Sequence, residues 1–497
     1  MKPYLFVLLL LAAGFTASAQ FTLSGRVRHF SGQQKVDVNL PSIFGYHNEN
    51  TVSVPLSNSG EFRITLPADS IRFATLIYRR THYTLLLEPA GNLEVEFDEN
   101  ANGIRFTGGS AADVCRLMQD IGMDKIPFFW ENDSLGALPA AEVRTAVMTP
   151  WFGEFAHQAQ TIRSSSISKS LQDILIAENF YRHFNYLNDF ITTNIPDRKT
   201  VNELIATLYD TIPITPKSPH PGPQYWTFTD KYIRNLEIRA FIRVKAENIP
   251  ASAPIPWFGI SLDSANVIVN RYGKPYWRWI GTMHNFPADV AESYNWQQIQ
   301  NQFSDRDVSQ ALPLAEAFRQ RFPKSRFLPA LKKMETVLRD SLAVNRKNKN
   351  ISIVEDYEQV QSIYDVVKKL KGKVVYLDMW GTWCGPCKEE IRHLPALRAS
   401  LAGKDVVFLF LDVDDDNKDA SWKDFIRANG MEGLHLRMSR KTVAPIWKEI
   451  LANHPDKSES YPQYFLFDKS GKLAIAKALR PSDGPALTQQ IESLLMP

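Results

Sequence analysis

The sequence predicts a multidomain protein: a small N-terminal β-sandwich, a mainly α middle region and a C-terminal α/β domain. Three observations carry this. The chain has 497 residues, more than one hydrophobic core ordinarily holds. Its composition, 44% hydrophobic and 22% charged with no long low-complexity tract, is that of folded protein throughout. Its hydrophobic spacing changes twice, to helical spacing near residue 109 and to alternating strand and helix patterns near residue 351. The expected divisions are 20–108, 109–350 and 351–497, after a leader at 1–19.

The leader reads as a secretory signal peptide. Lys2 supplies a positive end, Leu5 to Ala13 an apolar run, and Ala17-Ser18-Ala19 a small-residue cleavage site before Gln20. The alternative, a membrane anchor, is disfavoured because the run is short and small residues follow it. No cysteine lies near the cleavage site, so a lipid-modified N-terminus is not expected. No later stretch is long and apolar enough to cross a bilayer. The expectation is a periplasmic protein, cleaved near Ala19.

Residues 20–108 read as strands. Phe21, Leu23, Gly25 and Val27 alternate with polar residues, as do Val52, Val54 and Leu56, and then Phe62, Ile64 and Leu66 after the turn Asn58-Ser59-Gly60. Thr84 to Leu87 and Leu93 to Phe97 flank Pro89-Ala90-Gly91-Asn92 and read as a hairpin. Short strands at this spacing suggest a small sandwich.

Residues 109–350 read as mainly helical. Leu171 to Phe190, Lys231 to Lys245 and Leu312 to Leu342 place apolar residues at helical spacing among charged ones. The proline-rich stretches Pro213 to Pro223 and Pro250 to Pro256 read as surface loops, since proline lacks the amide donor. Tryptophans are concentrated here, Trp277 and Trp279 among them. They read as core and interhelical packing in preference to an aromatic binding platform.

From 351 the order is strand Val374 to Met379, helix Lys388 to Leu401, strand Val406 to Val413 and helix Ser421 to Ala428. A hairpin of Tyr464 to Phe467 and Leu473 to Ala476 across Lys469-Ser470-Gly471 follows, and Ala486 to Leu495 closes the chain as a helix. This order predicts a mixed sheet covered on both faces.

The chemistry is concentrated in Leu377-Asp378-Met379-Trp380-Gly381-Thr382-Trp383-Cys384-Gly385-Pro386-Cys387-Lys388. The chain has three cysteines, Cys115, Cys384 and Cys387, which is a pair plus a remote third and no disulfide framework. A Cys-x-x-Cys serves as a redox pair, half a zinc site or a haem attachment. Haem needs a histidine where Lys388 stands. Zinc needs two more ligands, and no second paired-ligand motif exists among the ten histidines. The position between a strand and a helix favours the redox reading over metal or an inert buried pair.

This segment resembles the active site of the thioredoxin superfamily and, within it, of the exported bacterial TlpA/ResA-like thiol–disulfide oxidoreductases. The resemblance covers residues from about 351 to the end. The residues before it are similar to the extension on large exported TlpA-like proteins. The resemblance implies a thioredoxin-like fold for 351–497, with Cys384 and Cys387 as the reactive dithiol. Cys384, at the N-terminus of a helix whose dipole favours a thiolate, would attack a substrate disulfide. Cys387, one turn on, would resolve the mixed disulfide. Gly385 lets a partner backbone approach and Pro386 stiffens the first turn.

Asp378 matches the buried acid of thioredoxin, six residues before the first cysteine, and would shuttle the Cys387 proton; the alternative is an ordinary polar residue ending a strand. Many TlpA/ResA-like proteins lack an acid here. Tyr461-Pro462 stands where the superfamily has a cis-proline loop, against the alternative of an ordinary trans proline. Tyr461 departs from the small residue of thioredoxin and would shield or select. With Trp383, Gly385 and Pro386, these two residues form the expected substrate-binding surface. Glu389 and Glu390 read as helix-start residues, Asp412 to Asp416 as a solvated loop and His454-Pro455-Asp456 as a turn.

No cofactor and no metal are expected, because the dithiol supplies the chemistry. A net charge of +3 without a basic run argues against nucleic-acid partners and anionic membranes. The expected partners are protein disulfide substrates and a membrane electron donor or other redox partner. The Gly-Pro dipeptide resembles that of reducing thioredoxins. The rival reading is a partner-binding or structural protein with an accessory redox domain. A peroxidase is disfavoured, because Gly381 stands where peroxiredoxin-like relatives carry threonine.

Overall fold

The computed structural model describes residues 20–210, 212–218 and 220–495; the expected leader lies outside them. The chain forms two compact units. The first holds residues up to Ile249 with Ile255–Gly259 and Gly281–Gln297, and the second holds Pro250–Pro254, Ile260–Ile280 and Gln298 onward.

Eight strands open the first unit: β1 Gln20–Arg28, β2 Val36–Asn39, β3 Thr51–Val54, β4 Glu61–Pro67, β5 Arg72–Tyr78, β6 Thr81–Leu87, β7 Asn92–Asp98 and β8 Ile104–Gly108. They make two four-stranded sheets, ordered β4-β1-β7-β8 and β3-β2-β5-β6. The alternating residues Phe21, Leu23, Val36, Val38 and Leu76 meet in one core, and Tyr78 of one sheet stacks on Phe97 of the other at 4.3 Å. This is the expected sandwich. The expected hairpin of Thr84–Leu87 with Leu93–Phe97 is corrected: β6 pairs with β5, whereas β7 runs parallel to β1 in the other sheet. The turn residues reverse the chain but do not set its pairing. Gly25 helps to do so, because a Cβ there would come within 2.2 Å of the Val95 carbonyl oxygen on β7.

The helices of this unit include Lys169–Asn194, Arg198–Asp210 and Pro223–Ala246. Ser168 caps the first, its hydroxyl accepting from the Leu171 N–H at 3.3 Å. Pro223 belongs to the first turn of its helix, where a missing N–H costs nothing. Cys115, on helix Ala112–Asp120, packs into the sandwich core.

In the second unit, the segment Leu312 to Leu342 is broken by Pro323 into helices Val308–Arg321 and Leu328–Asn345. Trp277 and Trp279 are buried here, as packing requires. The sheet comprises β9 Ile351–Ile353, β10 Val374–Trp380, β11 Val406–Asp412, β12 Gly433–Arg437, β13 Gln463–Phe467 and β14 Leu473–Ala476, ordered β14-β13-β10-β11-β12-β9. β10 is parallel to β11 and antiparallel to β13. All seven residues of β10 are buried. Since side chains alternate across a sheet, both faces are covered.

Candidate redox site

β10 ends at Trp380 and the chain passes through Gly381-Thr382-Trp383 into helix Gly385–Ile391, with Cys384 as its N-cap. Cys384 and Cys387 are joined in a disulfide, so neither sulfur is a metal-binding thiolate in this state. The Cys387 N–H donates to Cys384 Sγ at 3.2 Å, which aims a helix-terminal amide at the sulfur expected to carry charge. Both cysteines are buried.

The loop is held from behind by acids. Asp414 accepts from the Thr382 N–H at 3.2 Å and from the Thr382 hydroxyl, and Asp412 accepts from the Asp414 N–H at 3.1 Å. Asp412 and Asp414 are buried, which corrects the expectation of a solvated run; only its continuation at Asp415 and Asp416 faces water. Asp412 ends β11 directly opposite Trp380, so the strand draws it into the sheet. Its carboxyl is pushed well above the usual range, chiefly by burial and then by the Asp414 charge.

Asp378, in the middle of β10, is wholly enclosed, and its Oδ1 has no hydrogen-bond partner among the described residues. Burial first, and the Glu390 charge second, raise its carboxyl well above the ordinary value. Glu390 was expected at an exposed helix start. It is instead buried, accepting from both the N–H and the hydroxyl of Ser482 at 2.9 Å. It lies three residues after Cys387 and so shares that residue's helix face. That spacing was the signal available in the sequence. The Tyr464 phenol is raised by burial, then by Asp378 and Glu390 in turn, so these three groups share one pocket of influence.

The Tyr461–Pro462 peptide bond is cis. Tyr461 meets Trp383 edge-on at 5.4 Å, bringing the proline loop beside the cysteines, and its hydroxyl accepts from Trp447 Nε1 at 3.0 Å. Trp383 is 46% exposed, with the Arg440 guanidinium over its ring at 4.1 Å. Arg440 carried no motif to mark it. Gly381 makes room for Trp383, since a Cβ there would lie 2.5 Å from the indole nitrogen. A Cβ on Gly385 would meet nothing within 4 Å, and Pro386 opens the helix beside it. Lys388 pairs with Asp305 at 3.0 Å, tying the redox helix to the segment before helix Val308–Arg321.

Cys115 stands apart. It is buried and free, and burial pushes its thiol up to about 12. The reduced native protein is therefore expected to release two thiols quickly to Ellman's reagent and the third only after denaturation. A third fast thiol would show that this core opens.

Residues 349–476 match a family model described as AhpC/TSA family. A thiol-disulfide oxidoreductase ResA of Bacillus anthracis is 32% identical over 108 residues, which is 22% of this chain and 56% of that protein. Another ResA, from Bacillus thuringiensis subsp. konkukian, is 38% identical over 129 residues, 26% of this chain and 65% of that protein. The thioredoxin domain of a thiol-disulfide oxidoreductase from Bacteroides vulgatus aligns at 23% identity over 26% of this chain and 83% of its own, with a TM-score of 0.21. The chain thus spans less than two-thirds of the length of these curated relatives, and its residues before 349 lie outside the family match.

Proposed function

We propose that this chain, whose residues 349–476 match the AhpC/TSA family and whose C-terminal part is similar to ResA thiol–disulfide oxidoreductases, reduces disulfides of protein substrates outside the cytoplasm. The observation that carries the reading is the bonded Cys384–Cys387 pair capping a helix between a buried strand and an open approach at Gly385. In the reduced protein the Cys384 thiolate attacks one sulfur of a substrate disulfide and expels the other as a thiolate. Cys387 then loses its proton to Asp378 and attacks Cys384 Sγ, which frees the second substrate thiol. Two electrons pass to the substrate, and the pair returns to the disulfide. Trp383, Gly385, Pro386, Tyr461 and Pro462 form the surface on which the substrate lies, with Arg440 at its edge.

The extracytoplasmic setting rests on the leader pattern of residues 1–19 and on the ResA likeness. Such a compartment is oxidising, so a membrane electron donor must re-reduce the pair. The reducing direction rests on the Gly-Pro dipeptide. Equilibration with glutathione is expected to give a potential near the roughly −270 mV of thioredoxin. A value near the roughly −120 mV of a strong oxidant would reverse the direction.

A further inference from the structure

The first unit holds an open cleft of about 580 Å³, within the roughly 300–1,000 Å³ of small-molecule sites. Helix Arg198–Asp210 lines it with Val201, Ile205 and Ala206, and helix Pro223–Ala246 with Ile238, Ile242 and Ala246. Arg198, Val201, Ile205 and Tyr209 recur at three- and four-residue intervals, and Ile238, Ile242 and Ala246 every four, so each helix presents one face. Asn188 and Thr192 of helix Lys169–Asn194 and the ring of Trp257 complete the lining. From Lys231 to Ala246 the trough is about 22 Å long at 1.5 Å per residue.

Ile238 and Ile242 are 57% and 43% exposed, large aliphatic groups facing water in a concave wall. Covering them with an apolar ligand is favourable. The charged lining has one sign. Arg198, Lys231, Arg234, Arg239 and Arg243 line the cleft and, among the described residues, no aspartate or glutamate does. Lys231 pairs with Asp189, Arg234 with Asp230 at 2.7 Å, Arg239 with Asp210 at 2.8 Å and Arg243 with Glu247 at 2.7 Å, all acids outside the lining. Arg198 is exposed and has no acidic partner among the described residues. Arg239 and Arg243 also lie over Trp257, at 5.3 and 5.7 Å. Asn235, 6% exposed, lines the cleft with an amide oxygen that has no hydrogen-bond partner among the described residues.

A peptide laid in this trough would bring an amide and a carbonyl with every residue, and the apolar walls would leave most of them unpaired. A hydrocarbon chain brings none. We propose that the cleft binds a long-chain aliphatic anion, its chain between the two helices and its head group among the basic residues. The Asn235 oxygen is an acceptor open to a ligand hydroxyl.

The test uses residues 20–497 and fluorescence displacement of 11-(dansylamino)undecanoate by palmitate, 1-palmitoyl-lysophosphatidate and hexadecanol. Both anions are expected to displace the probe saturably, hexadecanol about tenfold more weakly. The tighter anion distinguishes a carboxylate source from a phosphate head group. Ile238→Glu and Ile242→Glu, at exposed positions and checked for folding by circular dichroism, are expected to weaken palmitate about tenfold or more. Arg198→Glu is expected to narrow the gap between palmitate and hexadecanol. No saturable displacement by either anion, or equal displacement in wild type and both glutamate variants, overturns the site. Hexadecanol binding as tightly as palmitate overturns the role of the basic residues.

Discussion

Cys384→Ser is expected to lower the rate of dithiothreitol-driven insulin reduction on the order of 10³-fold or more, because no other group can form the mixed disulfide. Cys387 lies deeper on the helix without the N-cap position, and the proposed mechanism gives it only the resolving step. Cys115 cannot substitute, since it is enclosed in the sandwich core and its thiol is pushed up to about 12. The partner variant gives a different phenotype. With Cys387→Ala the attack still occurs but cannot be resolved, so substrates accumulate as covalent adducts on Cys384 that reductant releases. Full insulin reduction by Cys384→Ser, or no adducts with Cys387→Ala, would remove these residues from the chemistry. The pair of outcomes separates an active dithiol from a structural disulfide, which would lose stability in both variants and trap nothing.

Much of this was legible in the sequence, for identifiable reasons. Strands β10 and β11 are near-continuous apolar runs, each carrying a single aspartate, as a strand buried on both faces demands. The redox loop was readable because strand, Cys-x-x-Cys and helix are contiguous. Edge pieces were not. β9 has three residues, too few for any period, and β12 carries His435 and Arg437, whose burial comes from neighbours distant in sequence. The acids around the cysteines failed for a related reason. Asp412, Asp414 and Glu390 have the composition of a solvated loop and a helix start. They are buried because β11 ends beside β10 and because Ser482, from far along the chain, caps Glu390. The sandwich pairing was hidden likewise, since β1 and β7 are joined across the length of the other sheet.

Asp378→Asn is expected to separate chemistry from stability, with opposite signs. The carboxyl is raised well above its ordinary value, chiefly by burial and secondarily by Glu390. A raised folded-state value means that the unfolded chain ionises first, at about 3.9. The stability this group contributes is thus fully present below that pH and is lost as pH rises through the folded-state value. Asparagine cannot ionise, so the variant's melting temperature is expected to match wild type near pH 4 and to exceed it increasingly towards pH 8. Some slope remains in the variant, because Asp412 is raised in the same direction. Activity moves the other way. Without a carboxylate to take the Cys387 proton, resolution is expected to slow about 10²-fold near neutral pH, a typical general-base contribution. It recovers at alkaline pH, where hydroxide can take the proton that the carboxylate no longer accepts. The discriminating readout is the mixed disulfide: Asp378→Asn should accumulate it at pH 7 and clear it at pH 9, whereas slowed attack by Cys384 would show none at either. A variant with wild-type turnover from pH 6 to 9 and no accumulated adduct would leave Asp378 a buried acid that costs stability and moves no proton.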